Sequence, residues 1–200
     1  MDSIRGAALV ATDVQRRATL PDARWAGVIR DRPGVIILRD VAVPAPWGFE
    51  RLPGVILHRR GAMVVETQGI QAVGCMAPDG GSTPCRPVLD AYRRTGLLRQ
   101  HLVRRSRHLF PGRFRPGRFA AGLEVEGVIL MDPPPPCSMS DGRNGGSCAV
   151  MVMSLPDLRL RVDRVAGTLK ATGRVMRPRD MTALAADLCA PRRAGEPAER

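Results

Sequence analysis

Lysine is nearly missing from this 200-residue chain: of its 31 basic residues only Lys170 is a lysine, and the rest are arginine. Aromatic residues are scarce as well, at 4%, so the core has to be built from Val, Leu, Ile, Ala and Met. No apolar run approaches the roughly 18 residues of a membrane span, which argues against a membrane partner. The cysteines (Cys75, Cys85, Cys137, Cys148 and Cys189) are odd in number and contain no CxxC pair. The pairs 75/85 and 137/148 are too wide for zinc knuckles, so the reading is free thiols in a reducing cytosol. The N-terminal "GAALVA" is too short for a secretory apolar region, and Asp13 and arginines follow it, so a cytoplasmic location is expected. There is no GxSxG nucleophile elbow, and no GK[ST] follows the glycine-rich "DGRNGGS". His58, His101 and His108 lie among arginines, which disfavours a general base near neutral pH.

What is present describes one globular domain. Apolar residues make up 44% and charged residues 25%, a composition that supports a single core at this length. The formal net charge of +12 points to a polyanionic partner, most often nucleic acid. Arginine bias beside abundant Ala, Gly and Pro is equally the imprint of a GC-rich bacterial genome, so charge alone leaves both sources open.

Along the chain, residues 1–20 form a flexible N-terminal segment, with room for a short helix over 7–17. A turn at Arg32-Pro33-Gly34 precedes a strand, Val35 to Val43, whose β-branched run predicts burial on both faces. "PAPWGFERLPG" is expected to be a loop, because four breakers fall in a short span. A hairpin follows: strand 55–57, turn His58-Arg59-Arg60-Gly61, strand 62–67. "GIQAVG" reads as a third strand. From Val88 the period changes, with Val88, Ala91, Tyr92, Leu98, Leu102 and Val103 on one side of a helical wheel. Arg93, Arg94, His101, Arg104 and Arg105 occupy the other. "LEVEGVILMD" and "CAVMVMSL" are strands separated by a long loop, and "PDLRLRVDRVAGTLKA" begins as a strand edge and turns helical. "RPRDMTALAADLCA" is a short helix capped by Asp180, and 191–200 is a disordered tail. A helix between two strong apolar strands implies an α/β fold with a mixed central β-sheet flanked by helices, in a single domain over 21–190.

The stretch "VILHRRGAMVVETQG", with the strand "VIILRDVAVP" before it and "CRPVLDAYRRTGLLRQHL" and "VEGVILMD" after it, resembles the NERD (nuclease-related) domain of the PD-(D/E)XK restriction-endonuclease-like superfamily. The likeness spans roughly 25–190 and is carried chiefly by the "rGxxVxETx" hairpin. It implies a restriction-endonuclease-like fold and divalent-metal-dependent phosphodiester hydrolysis, with Mg or Mn held by carboxylates and a lysine assisting the attacking water. Aligned on the turn glycine, Gly61, the family's Asp falls at Pro53, the following His at Gly54, the Glu at Glu66 and the lysine at Gln68. One of three central groups is kept. Asp40 and Glu50, each near a strand end, are the carboxylates that remain to join Glu66 in a metal site. Read without the resemblance, Glu66 is a strand-end carboxylate paired with Arg59 or Arg60 across the turn.

The segment Arg93–Arg118 holds nine arginines and two histidines, with no acidic residue between Asp90 and Glu124. Arg93, Arg94, Arg104, Arg105, Arg113, Arg115 and Arg118 are its candidate phosphate contacts. Phe110, Phe114 and Phe119 interleave with the last three in "FPGRFRPGRF", a pattern suited to stacking on unpaired bases. The expectation is a catalytically degenerate, nucleic-acid-binding domain. An active metal-dependent nuclease using Glu66 with Asp40 or Glu50 is the first alternative, and a structural or protein-interaction domain is the second.

Overall fold

The computed structural model describes residues 20–67, 86–109, 123–131, 148–167 and 176–190. The expected helix over 7–17, the "GIQAVG" strand, Gln68, the phenylalanine–arginine connector, the proline-rich loop and the tail lie outside them.

Helix α1 (Leu20–Ile29) leads into strands β1 (Val35–Ala45), β2 (Gly48–His58) and β3 (Gly61–Thr67). Helix α2 (Arg86–Leu109), strands β4 (Glu124–Leu130) and β5 (Cys148–Met153), and helices α3 (Leu155–Gly167) and α4 (Pro178–Cys189) follow. The five described strands form one sheet in chain order; β1, β2 and β3 pair antiparallel, and β3, β4 and β5 pair parallel. The architecture is the expected α/β one, an open mixed sheet between helices. On one face, α2 and α4 bury Leu98, Leu102, Met181, Leu184 and Leu188 against Leu38, Val43, Leu52, Leu57, Val64 and Val125. On the other, Trp25 and Ile29 of α1 and Leu158, Val162 and Val165 of α3 cover Ile56, Met63, Val65 and Val128.

The loop expected over 44–54 is instead strand. β1 runs to Ala45, a two-residue turn at Pro46-Trp47 reverses the chain, and β2 starts at Gly48 with φ 122°. The prolines are tolerated for separate reasons. Among the described residues β1 is the sheet edge, so Pro44 can pair with Phe49 there without breaking an interior ladder. Pro53 has no N–H to donate, and the ladder skips the step between Arg39↔Gly54 and Val41↔Leu52. Opposite that gap Asp40 takes φ 50°, a left-handed conformation that Asp tolerates better than most residues.

The gap also changes which side chains face which helices. Along β1, Ile36 and Leu38 belong to the α2/α4 face, and so do Val41, Val43 and Ala45. Strict alternation would put 38 and 41 on opposite faces. Along β2, Val55 and Leu57 share that face with Leu52. Both strands therefore reverse their alternation at Asp40/Pro53, which turns the outer half of the hairpin over relative to the inner half.

The segment expected to begin as a strand edge, from Pro156, is helical over its described part, to Gly167. Ser154 caps α3: its Oγ accepts from the Asp157 N–H at 3.2 Å and donates to the Asp157 carboxylate at 2.6 Å. Serine followed three residues later by an acidic residue is a helix-start signal, and here it outweighs the β-favouring alternation of "LRLRV". At the start of α4, Asp180 accepts the Arg177 N–H at 3.0 Å, capping as expected but from inside the first turn.

Two glycines set the spacing of the sheet and its layers. The Trp25 ring lies over Gly54, where a Cβ would come within 2.9 Å of its Cη2. Gly61 pairs with Glu124 at the point where β3 and β4 meet, and a Cβ there would lie 2.6 Å from the Glu124 carbonyl carbon and 2.9 Å from its nitrogen.

His58, at the end of β2, is fully buried on the α3 side. Its Nδ1 accepts the Arg60 N–H at 3.3 Å, while its Nε2 has no partner. Burial, together with the charges of Arg161 and Arg60, lowers its pKa to about 4. Between pH about 4 and 6.5 the folded state thus binds fewer protons here than the unfolded chain. Its contribution to stability is present above that window and lost as pH falls through it, on the order of 3 kcal/mol. Urea unfolding from pH 7 to pH 4 is expected to show this acid limb, and His58→Phe is expected to flatten it whatever that variant's absolute stability.

Candidate functional site: a guanidinium between strand carboxylates

Glu66 sits near the end of β3 with its side chain 2% exposed, in the alternation that Ala62 and Val64 direct toward α2. Glu50 reaches the same face from β2 only because the chain turns over at Pro53. It pairs with Val43, whose side chain is in the α2/α4 core, so Glu50 shares that side. The β2–β3 ladder ends at the Gly54↔Val65 pair, and Pro53 and Glu66 are the next residues beyond it. The position that the resemblance assigns to a ligand is thus held by a residue whose consequence is to deliver Glu50.

Arg94, in the third turn of α2, spans the two carboxylates. Its Nη1 donates to Glu66 Oε2 at 2.8 Å and its Nε to Glu50 Oε1 at 2.9 Å. Arg93 Nη2 donates to the same Glu50 oxygen at 3.2 Å and lies 3.4 Å from Asp90 Oδ1. The Trp47 indole N–H completes the set, donating to Glu50 Oε2 at 3.4 Å. Glu66 Oε1 is buried with no partner.

The electrostatics follow from this packing. Desolvation raises the Glu66 pKa; Arg94 pulls it down by charge and hydrogen bond, while Asp90 and Glu50 add repulsion, and the net direction is up. At Glu50, burial also works to raise the pKa, but the Arg94 hydrogen bond and the charges of Arg93 and Arg94 outweigh it and hold the carboxyl low. Arg94 itself is pushed further toward its charged form by the two carboxylates, against its own desolvation.

A divalent cation fits this donor set poorly. A hard ion such as Mg takes six oxygens, one or two from carboxylates and the rest from water or phosphate, so its carboxylates must be free to face an open site. Among the described residues no group of three or more His, Cys, Asp or Glu side chains is placed to hold a metal. The guanidinium already engages both carboxylates at hydrogen-bond distance, and Asp40 enters none of these contacts.

The basic face also looks different from its reading as a row of phosphate contacts. Arg93 and Arg94 are engaged as described, and Arg105 donates to Asp187 of α4 from its Nε at 2.9 Å and from its Nη2. His101, expected on the solvated side of α2, is buried and lies 3.2 Å from the other Asp187 oxygen. Against its burial, His101 and Arg105 hold Asp187 well below the ordinary carboxylate range. Arg104 is exposed; Arg113, Arg115 and Arg118 lie outside the described residues, as does Gln68. Glu66 pairs with α2 and not with Arg59 or Arg60, and Arg60 instead pairs with Glu124. Sequence reasoning missed Trp47, Asp90 and the bridging role of Arg94. A signal was available for the last, since a buried strand carboxylate in a chain almost devoid of lysine needs an arginine.

Comparison with known protein families, characterised proteins and solved structures finds no match for this chain. No described helix is long and apolar enough to cross a membrane.

Proposed function

We propose that this chain is a nuclease-related domain of restriction-endonuclease-like type that has lost efficient catalysis and binds nucleic acid in the cytosol. The observation that carries the reading is Arg94 placed between Glu66 and Glu50, where a nuclease of this kind would hold its metal. A fixed guanidinium bonds to both carboxylates but, unlike a metal, has no open coordination position for a water or a phosphate oxygen. The order of hairpin, helix and parallel strand agrees with what the resemblance implies. Because Arg93, Arg94 and Arg105 are engaged internally, phosphate contact falls to Arg104 and the connector arginines Arg113, Arg115 and Arg118.

A working nuclease is the second reading, favoured by the unpartnered Glu66 Oε1. Incubating the protein with DNA and RNA in Mg or Mn, beside Glu66→Ala, separates the two. No cleavage by either protein is the expected result, whereas metal-dependent cleavage lost in Glu66→Ala would establish the active enzyme. Binding is read from its salt dependence, since each neutralised phosphate contributes about −0.9 to the slope of log K on log salt for duplex DNA. A steep slope is expected. Absence of binding, or binding insensitive to salt, would leave a structural or protein-interaction domain.

A further inference from the structure

We infer that the tip of the β1–β2 hairpin is a stacking platform for an unpaired base, which makes single-stranded nucleic acid the preferred ligand; this rests on the nucleic-acid reading above. Trp47 lies in the two-residue turn and is 57% exposed, whereas the only other tryptophan, Trp25, is 3% exposed in the core. An exposed indole on a hairpin turn contributes little to folding. This one is nevertheless held in a fixed orientation. Its N–H reaches Glu50 Oε2, and the Arg93 guanidinium carbon sits 5.2 Å from the ring centroid. Arg93 is itself fixed by Glu50 and Asp90. With one face of the ring under the guanidinium, the exposed area belongs to the opposite face and the edge.

A rigid aromatic surface with one open face, backed by a cation, is what a base requires for stacking, and every base has a π-face to offer. A base inside a duplex is already stacked on both sides, so only an unpaired one can use it. The charge is complementary to a polyanion at +12 overall. An exposed cation on α2 is Arg86, seven residues before Arg93 and about 10 Å away along the axis. It sits on the same helix face, where a phosphate of the stacked strand would pass.

The test uses the fluorescence of the intact protein, because the two tryptophans report separately on surface and core. Titration with a thymidine oligonucleotide is expected to quench the Trp47 emission, with tighter binding than to a duplex of equal length. An abasic oligomer of the same charge is expected to bind without quenching. Trp47→Ala is expected to weaken single-strand binding about ten-fold more than duplex binding, and Trp47→Phe to recover part of that difference. Arg86→Gln is expected to lower the salt slope by about one phosphate. If single strands and duplex bind equally, without quenching and without sensitivity to Trp47→Ala, the platform is wrong and the nucleic-acid reading survives. If neither binds, both fail, and a protein partner becomes the occupant to seek at Trp47.

Discussion

Replacing Arg94 with alanine is expected to destabilise the protein by about 3–5 kcal/mol, the usual cost of leaving a buried charge without its partner. Glu66 is the reason. Its carboxylate is buried, one oxygen is bonded to Arg94 and the other has no partner. Without the guanidinium no hydrogen bond to Glu66 remains to offset its desolvation, and Glu50 and Asp90 add repulsion that only Arg93 tempers. The effect carries a pH signature. A carboxyl whose folded pKa lies above its ordinary value binds more protons folded than unfolded, so stability falls as pH rises through the interval above 4.5. In Arg94→Ala that interval widens upward, so the variant is expected to recover toward wild type near pH 4.5 and to lose most at pH 7. Chemical denaturation at the two pH values measures it. An equal deficit at both would mean that lost packing and not the uncompensated charge dominates. The double variant Arg94→Met, Glu66→Leu is expected to regain most of the stability, because apolar side chains of similar volume replace buried ion pairs at little net cost.

Gly61→Ala is the second large effect, expected at about 4 kcal/mol or more and at the limit preventing folding. A Cβ at this position would overlap the backbone of Glu124 and not a flexible side-chain end. Relief would require β4 to move away from β3, yet Glu124 also donates its N–H to the Arg60 carbonyl at 3.0 Å. This is the junction at which the antiparallel hairpin becomes the parallel half of the sheet, so displacing it uncouples the two halves of the core. Thermal unfolding by circular dichroism gives the readout. Gly96→Ala is the control, since nothing lies within 4 Å of a Cβ there. It is expected to be neutral or slightly stabilising, as alanine is in a helix.

Much of the fold is legible in the sequence because alternation and helical periodicity are local. The β-branched runs at 35–38, 62–65 and 125–130 mark strands, the stripe Ala91, Leu98, Leu102 marks a buried helix face, and their order implies the mixed sheet. The outer half of the β1–β2 hairpin is not legible in that way. Gly, Pro and Trp read as breakers one at a time, and only the partner strand shows that Pro44 lies on an edge and that Pro53 faces a residue able to take a left-handed turn.

For the candidate site the division is sharper. The sequence by itself determined that Glu66 closes a strand next to a tight glycine turn, that almost no lysine is available to it, and that a basic amphipathic helix follows. It also determined that the segment from Arg93 to Arg118 is cationic. Only the tertiary structure decided which arginines are available to a partner, because charge state is a property of a residue whereas pairing depends on distance. Residues separated by 28 positions, such as Glu66 and Arg94, or by 82, such as Arg105 and Asp187, meet only once the helices have docked on the sheet. The same docking turned Glu50 toward Glu66, through a reversal of alternation that neither strand specifies without the other.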